Sequence, residues 1–172
     1  MLKIGIFILL SILLYVFTVI KRPYRYRFPR FFAFESIIGL VLLNTDNWFR
    51  NPFSFCQIVS WFFLVSSFCL ALHGFRILRA AGIPKDDIEE TTRLVTIGAY
   101  RYIRHPLYCS LLLGGVGAFL KEPSYLGLLL FLILAGFVFW TGKVEEDESL
   151  KKSDEQYCVY METTKMFIPF LI

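Results

Sequence analysis

Residues 106–140 read PLYCSLLLGGVGAFL, then KEPS, then YLGLLLFLILAGFVFW, and this stretch decides the fold. Two apolar runs, 106–120 and 125–140, are separated only by Lys121, Glu122, Pro123 and Ser124. So brief a connection demands an antiparallel helical hairpin. In its first arm Ser110, Gly114 and Ala118 recur every four residues, a stripe of small side chains that lets another helix approach closely.

Outward from the hairpin, three more apolar runs precede it: Leu2–Ile20, Phe31–Leu43 with Glu35 inside it, and Phe53–Phe75 with His73 and Arg76 at its end. The first resembles a signal peptide, but its basic pair, Lys21 and Arg22, follows the apolar run and no small-residue cleavage site is present. It is expected to be a span. The count is therefore five spans in an all-α polytopic membrane protein. Composition points the same way. The 172 residues are 56% hydrophobic, 18% aromatic and 19% charged, against about 45–50% apolar and about 25% charged in soluble domains. Mean hydropathy is +0.59, which excludes an ordinary soluble domain. With 19 Phe, 9 Tyr and 3 Trp the chain is also too rich in buriable surface for disorder. At about 20 residues per crossing there is room for about four to six spans and little else.

Charge sets the orientation. Fifteen of the 18 Lys and Arg fall in 21–30, 76–104 and 143–172, leaving Lys3, Arg50 and Lys121 on the other side. The positive-inside rule then puts the N-terminus outside and the C-terminus in the cytoplasm. The net charge of +4 is too small and scattered for nucleic acid, and anionic membrane lipid is the expected partner of the basic clusters. Cys56, Cys69, Cys109 and Cys158 form neither a disulfide framework nor a metal-binding spacing, so they are expected to be packing residues, with no metal. No internal repeat is present, which disfavours an inverted-repeat transporter. No obligate protein partner is evident.

The polar residues gather in 76–105 and 143–168, so chemistry is expected in the second half. Pro106 suits the first position of a helix, and His105 before it is steered away from helical geometry. An imidazole at a helix mouth with free amides, and Arg104 beside it, is an anion-binding arrangement. Interface anchoring is the other reading of the same residues. Further on, Glu146, Leu150, Tyr157, Tyr160 and Met161 share one face at ~100° per residue. Glu145 and Glu146 there either meet a cation or belong to a solvated helix. Glu35, a carboxylate within a short span, is a functional candidate by default unless it pairs with Arg30 or snorkels, and His73 is expected to be structural or interfacial.

These elements resemble the integral-membrane methyltransferases of the isoprenylcysteine carboxyl methyltransferase type, a group that includes phospholipid N-methyltransferases. The family pattern L-V-x-x-G-x-Y-x-x-x-R-H-P-x-Y reads here as Leu94-Val95, Gly98, Tyr100, Arg104-His105-Pro106 and Tyr108. After the hairpin come Glu145-Glu146, Tyr157 and Tyr160, then Ile168-Pro169. The likeness covers about residues 90–172. It implies a cytosol-facing S-adenosylmethionine pocket closed by the C-terminal helix, lined by Leu94, Val95, Tyr100, His105, Pro106, Leu107, Tyr108 and Tyr157. Glu145 would orient a lipidic methyl acceptor that reaches the site from the bilayer, with Arg104 and Glu146 beside it. Carboxyl-methylating members place an Arg four residues before the first Glu, where this chain has Thr141, and Ser153-Asp154 stands where Phe-Gly is usual. The layout is a single membrane domain over 1–172: three N-terminal helices in 1–80 and a catalytic subdomain in 81–172. Two other readings are weighed: a sterol-reductase-like enzyme using NADPH, and a non-enzymatic membrane scaffold or lipid-binding protein.

Overall fold

A computed structural model describes residues 2–16, 18, 24–81, 94–152 and 154–168. Among these residues six α-helices follow in order: α1 (Leu2–Tyr15), α2 (Tyr24–Leu43), α3 (Phe55–Ala81), α4 (Pro106–Phe119), α5 (Tyr125–Lys152) and α6 (Asp154–Thr163). No strand occurs among the described residues, only a single parallel bridge between Ile103 and Lys165. The protein is all-α.

The hairpin forms as its sequence requires. Pro106 occupies the first turn of α4 and His105, at φ −122°, stands outside the helix as its cap. A proline there gives up no helical hydrogen bond and pre-sets the backbone angle. α4 packs on α3 and α5, α2 packs on α5, and α1 leans on α2. Small residues make the α3–α4 contact close. A Cβ on Gly117 would come within 2.8 Å of Leu64, and one on Gly114 within 3.0 Å of Ser67. Ser60 and Ser67 of α3 donate to the carbonyls of Gly117 and Ser110, both at 2.7 Å. Ala118 is fully buried and Gly115 faces Leu134 of α5, so α4 presents small residues to two neighbours.

Three expectations need amending, and the count of five spans is met in part: among the described residues, two of the five apolar runs form helices both long and apolar enough to cross a membrane, α3 and α5, while the helices α1 and α4 have 14 residues each. α2 starts at Tyr24, seven residues before the apolar run, with Pro29 inside it. α5 runs unbroken into the acidic stretch because TGKVEEDESLKK, despite its one Gly, is rich in good helix formers. Glu146 and Tyr157 thus sit on two helices, not on one face of a single helix. The cysteines are free, but Cys56, Cys69 and Cys158 are exposed rather than packed inside. Ser153 and Pro169 of the family pattern lie outside the described residues.

The surface of this bundle is apolar. Along α3, Phe55, Ile58, Phe62, Val65, Phe68, Leu72 and Phe75 are all exposed, at a spacing that makes one continuous stripe. Leu126, Leu129 and Leu132 of α5 and Ile4, Ile8 and Ile12 of α1 are exposed likewise. Monomeric soluble proteins rarely show contiguous patches of this kind.

The end of the bundle where α4 meets α5 is fastened by polar groups. Lys121 is buried, donates to Gln57 at 2.9 Å and lies 3.9 Å over the ring of Trp61 and 5.4 Å from that of Trp48. Gln57 in turn donates to the carbonyls of Asn47 and Lys121, and Asn44, just beyond α2, donates to that of Ala118. The loops joining α2 to α3 and α4 to α5 are thereby tied to one another.

Candidate active site

At the opposite end, the chain from Leu94 to His105 crosses the mouth of the bundle. Gly98 there has φ +60°, an angle that side chains disfavour, and a Cβ would collide with Ile77 and lie 2.9 Å from His73 Nε2. Only glycine fits. The turn it makes, Gly98–Arg101, directs the Tyr100 ring inward. His73, expected to be structural, packs against this turn.

The segment after α6 returns to the same strip of chain. Arg104 and His105 donate their amides to the carbonyls of Lys165 (2.7 Å) and Met166 (3.1 Å), and Lys165 donates to that of Tyr102 (3.2 Å). Tyr160 donates its hydroxyl to the Tyr100 carbonyl at 2.6 Å. Arg104 reaches the carbonyls of Met161 and Thr164. α6 is therefore latched over the mouth.

Beneath it lies a cleft. Its apolar wall is Leu78, Leu94, Val95 and Leu107; its polar wall is Tyr100, Arg104, His105, Tyr108, Glu145, Ser149, Tyr157 and Tyr160. Residues expected at a cofactor site thus converge on one concavity, with one exception. Pro106 does not line it: the ring is fully buried against α3 beside Gly74 and serves to start α4.

Two adjacent carboxylates have different surroundings. Glu145 lines the cleft. Arg30 of α2 and the Tyr108 hydroxyl both donate to its Oε1, while Oε2 is 3.5 Å from His105 Nδ1. Glu146 is only 2% exposed and stands behind, accepting from Arg104 Nε at 2.6 Å and from Lys143 at 3.1 Å. Arg104 is accordingly engaged with Glu146 and with α6, whereas a guanidinium available to an incoming anion was expected. His105 bridges the pair, its Nε2 lying 3.6 Å from Glu146 with no hydrogen bond. Burial pulls the imidazole pKa down, yet the two carboxylates outweigh it and hold the value above that of an ordinary histidine.

Burial, reinforced by the charge of Glu146, pushes Tyr157 up to about 12. Burial raises Tyr160 further. Both phenols stay neutral donors at physiological pH.

Arg30, Leu78 and Ser149 were not expected here. Pairing of Arg30 with Glu35 was one reading of that carboxylate, and Glu35 accepts from Ser11 of α1. The only trace of Arg30 in the sequence is its place at the end of a basic run, RYRFPR, and that signals an interface as readily as a site. Among the described residues no cluster of His, Cys, Asp or Glu is arranged to hold a metal.

A family model described as phospholipid methyltransferase matches residues 55–153, more than half of the chain. The match runs from α3 through the hairpin to the end of α5 and includes every cleft residue except those of α6. No curated protein matches the chain.

Proposed function

The chain belongs to the phospholipid methyltransferase family, and on that footing we propose that it is an integral membrane enzyme transferring a methyl group from S-adenosylmethionine to a lipid-like acceptor. The observation that carries the reading is convergence: Leu94, Val95, Tyr100, His105, Leu107 and Tyr108 line one cleft with Glu145 and Tyr157, far from them in sequence, beside an apolar bundle. In this reading α1 to α5 are five spans, with the cleft and α6 on the cytoplasmic side. The apolar exterior and the distribution of Lys and Arg support that arrangement.

The cleft suits the cofactor chemically. Leu94, Val95 and Leu107 offer a dry wall to a heterocycle, and Tyr100, Tyr108 and Tyr157 offer aromatic rings to a sulfonium cation. When bound, S-adenosylmethionine supplies an electrophilic methyl group. The protein's part is chiefly positioning. α6, latched through Tyr160 and Arg104, keeps water from the mouth. Glu145 faces the acceptor. A carboxylate acceptor, as in isoprenylcysteine-type members, needs no base, whereas an amine must lose a proton and Glu145 is the group placed to take it.

Isothermal titration with S-adenosylhomocysteine in detergent tests the reading. Binding is expected. A protein with an intact melting transition that binds none overturns it, and binding of NADPH instead would move the chain to the reductases. Transfer of a tritiated methyl group to prenylcysteines, ethanolamine lipids or total membrane extract then identifies the acceptor.

A further inference from the structure

Arg30 comes from α2, ahead of the stretch that the family model matches, yet it bonds directly to the carboxylate of the cleft. Its Nη2 donates to Glu145 Oε1, and its Nε donates at 3.0 Å to the Tyr108 hydroxyl, which itself donates to the same Oε1. The three groups close a ring in which each hydrogen has an acceptor. The Arg30 side chain is 9% exposed and that of Glu145 22%, and Glu145 and Tyr108 line the cleft while Arg30 does not. Arg30 therefore meets no substrate and works through Glu145. From the geometry we infer that Arg30 is a positioning residue: by holding Oε1 against Tyr108, it presents Oε2 of Glu145 toward the methyl acceptor.

The position four residues before Glu145 cannot do this, because Thr141 is fully buried and its hydroxyl donates to the Phe137 carbonyl. The guanidinium is supplied across the bundle instead. A guanidinium that holds Oε1 through Nη2 and the Tyr108 hydroxyl through Nε fixes both at once, as a single ammonium does not. Without Arg30, Oε1 keeps only the Tyr108 hydroxyl, and His105 Nδ1, 3.5 Å from Oε2, is left as the nearest cation to the carboxylate.

This inference rests on the proposed methyl transfer, and its experiment separates the two. Wild type and Arg30→Ala are compared by S-adenosylhomocysteine calorimetry, by thermal melting, and by tritiated methyl transfer to total membrane lipid extract. The expected result for Arg30→Ala is an affinity for S-adenosylhomocysteine within about twofold of wild type and a kcat lower by roughly tenfold to a hundredfold, the cost of a misplaced reacting group. Arg30→Lys recovers part of that loss. Adding Glu145→Gln to Arg30→Ala lowers kcat little further, and the two substitutions are non-additive in melting temperature as well. Wild-type kcat in Arg30→Ala overturns the inference. So does a kcat loss matched by an equal loss of cofactor affinity, or additivity in the melting cycle, which needs no acceptor. Should Arg30→Ala lack a melting transition, Arg30→Gln and Arg30→Lys carry the same comparison. Failure of wild type itself to bind S-adenosylhomocysteine would fall on the proposed function, leaving the melting cycle to decide the Arg30–Glu145 coupling.

Discussion

His105 lies between two carboxylates, 3.5 Å from Glu145 and 3.6 Å from Glu146, and this has a sign that can be measured. Its pKa is raised in the folded protein despite burial, so the fold binds the proton more tightly than the unfolded chain does. The stabilisation is complete below the unfolded value of about 6.5 and is lost as pH rises through the folded value. The melting temperature of wild type relative to His105→Gln is therefore expected to be highest below about pH 6.5 and to decline on the alkaline side. A difference that is flat with pH would mean that His105 titrates alike in the folded and unfolded chain. At this scale Leu94, Val95, Tyr100, His105, Tyr108 and Tyr157 were legible because their order along the chain is distinctive. Arg30 was not. Its partner is 115 residues away, and a side-chain pairing across a bundle leaves no local periodicity to read. Pro106 was legible as a helix start, and that is the part it takes.

Elements were readable from their apolar runs, less so from their ends. Hydropathy marks where a helix is greasy, not where it begins, so α2 starts within a basic segment and α5 continues into an acidic one. At ~1.5 Å per residue, the 28 residues of α5 extend ~42 Å, beyond the ~30 Å of a hydrocarbon core. In the proposed arrangement that surplus carries Glu145 and Glu146 to the edge of the apolar zone, beside α6. The turn at Gly98–Arg101 is the element on which the cleft depends most. Gly98→Ala is expected to cost about 1–2 kcal/mol from its backbone angle alone, with a further loss from the collision with Ile77. Because Tyr100 rides on this turn, S-adenosylhomocysteine affinity is expected to fall along with melting temperature. Calorimetry and melting on the same sample check both, and unchanged affinity would detach Tyr100 from the cofactor. Gly98 could be noticed in the sequence, but its need for a bare Cα arises from Ile77 and His73 on a different helix.

The whole molecule pairs an apolar exterior with one polar end. Phe53 is 90% exposed and Tyr125 96%, values that suit lipid and its interface, where aromatic rings settle. Orientation is testable through Cys158, which is exposed on α6. In a variant retaining only this cysteine, an impermeant maleimide is expected to label inverted membrane vesicles and to leave intact cells unlabelled; labelling of intact cells would reverse the topology. The end remote from the cleft has its own consequence. Lys121, beside Trp61 and Trp48 and bonded to Gln57, together with Asn44 on the Ala118 carbonyl, joins the ends of α2, α3 and α4. A bundle riveted there is like the closed end of a clamp: the lysine and its two indoles fix how far apart α2, α3 and α4 stand at that end.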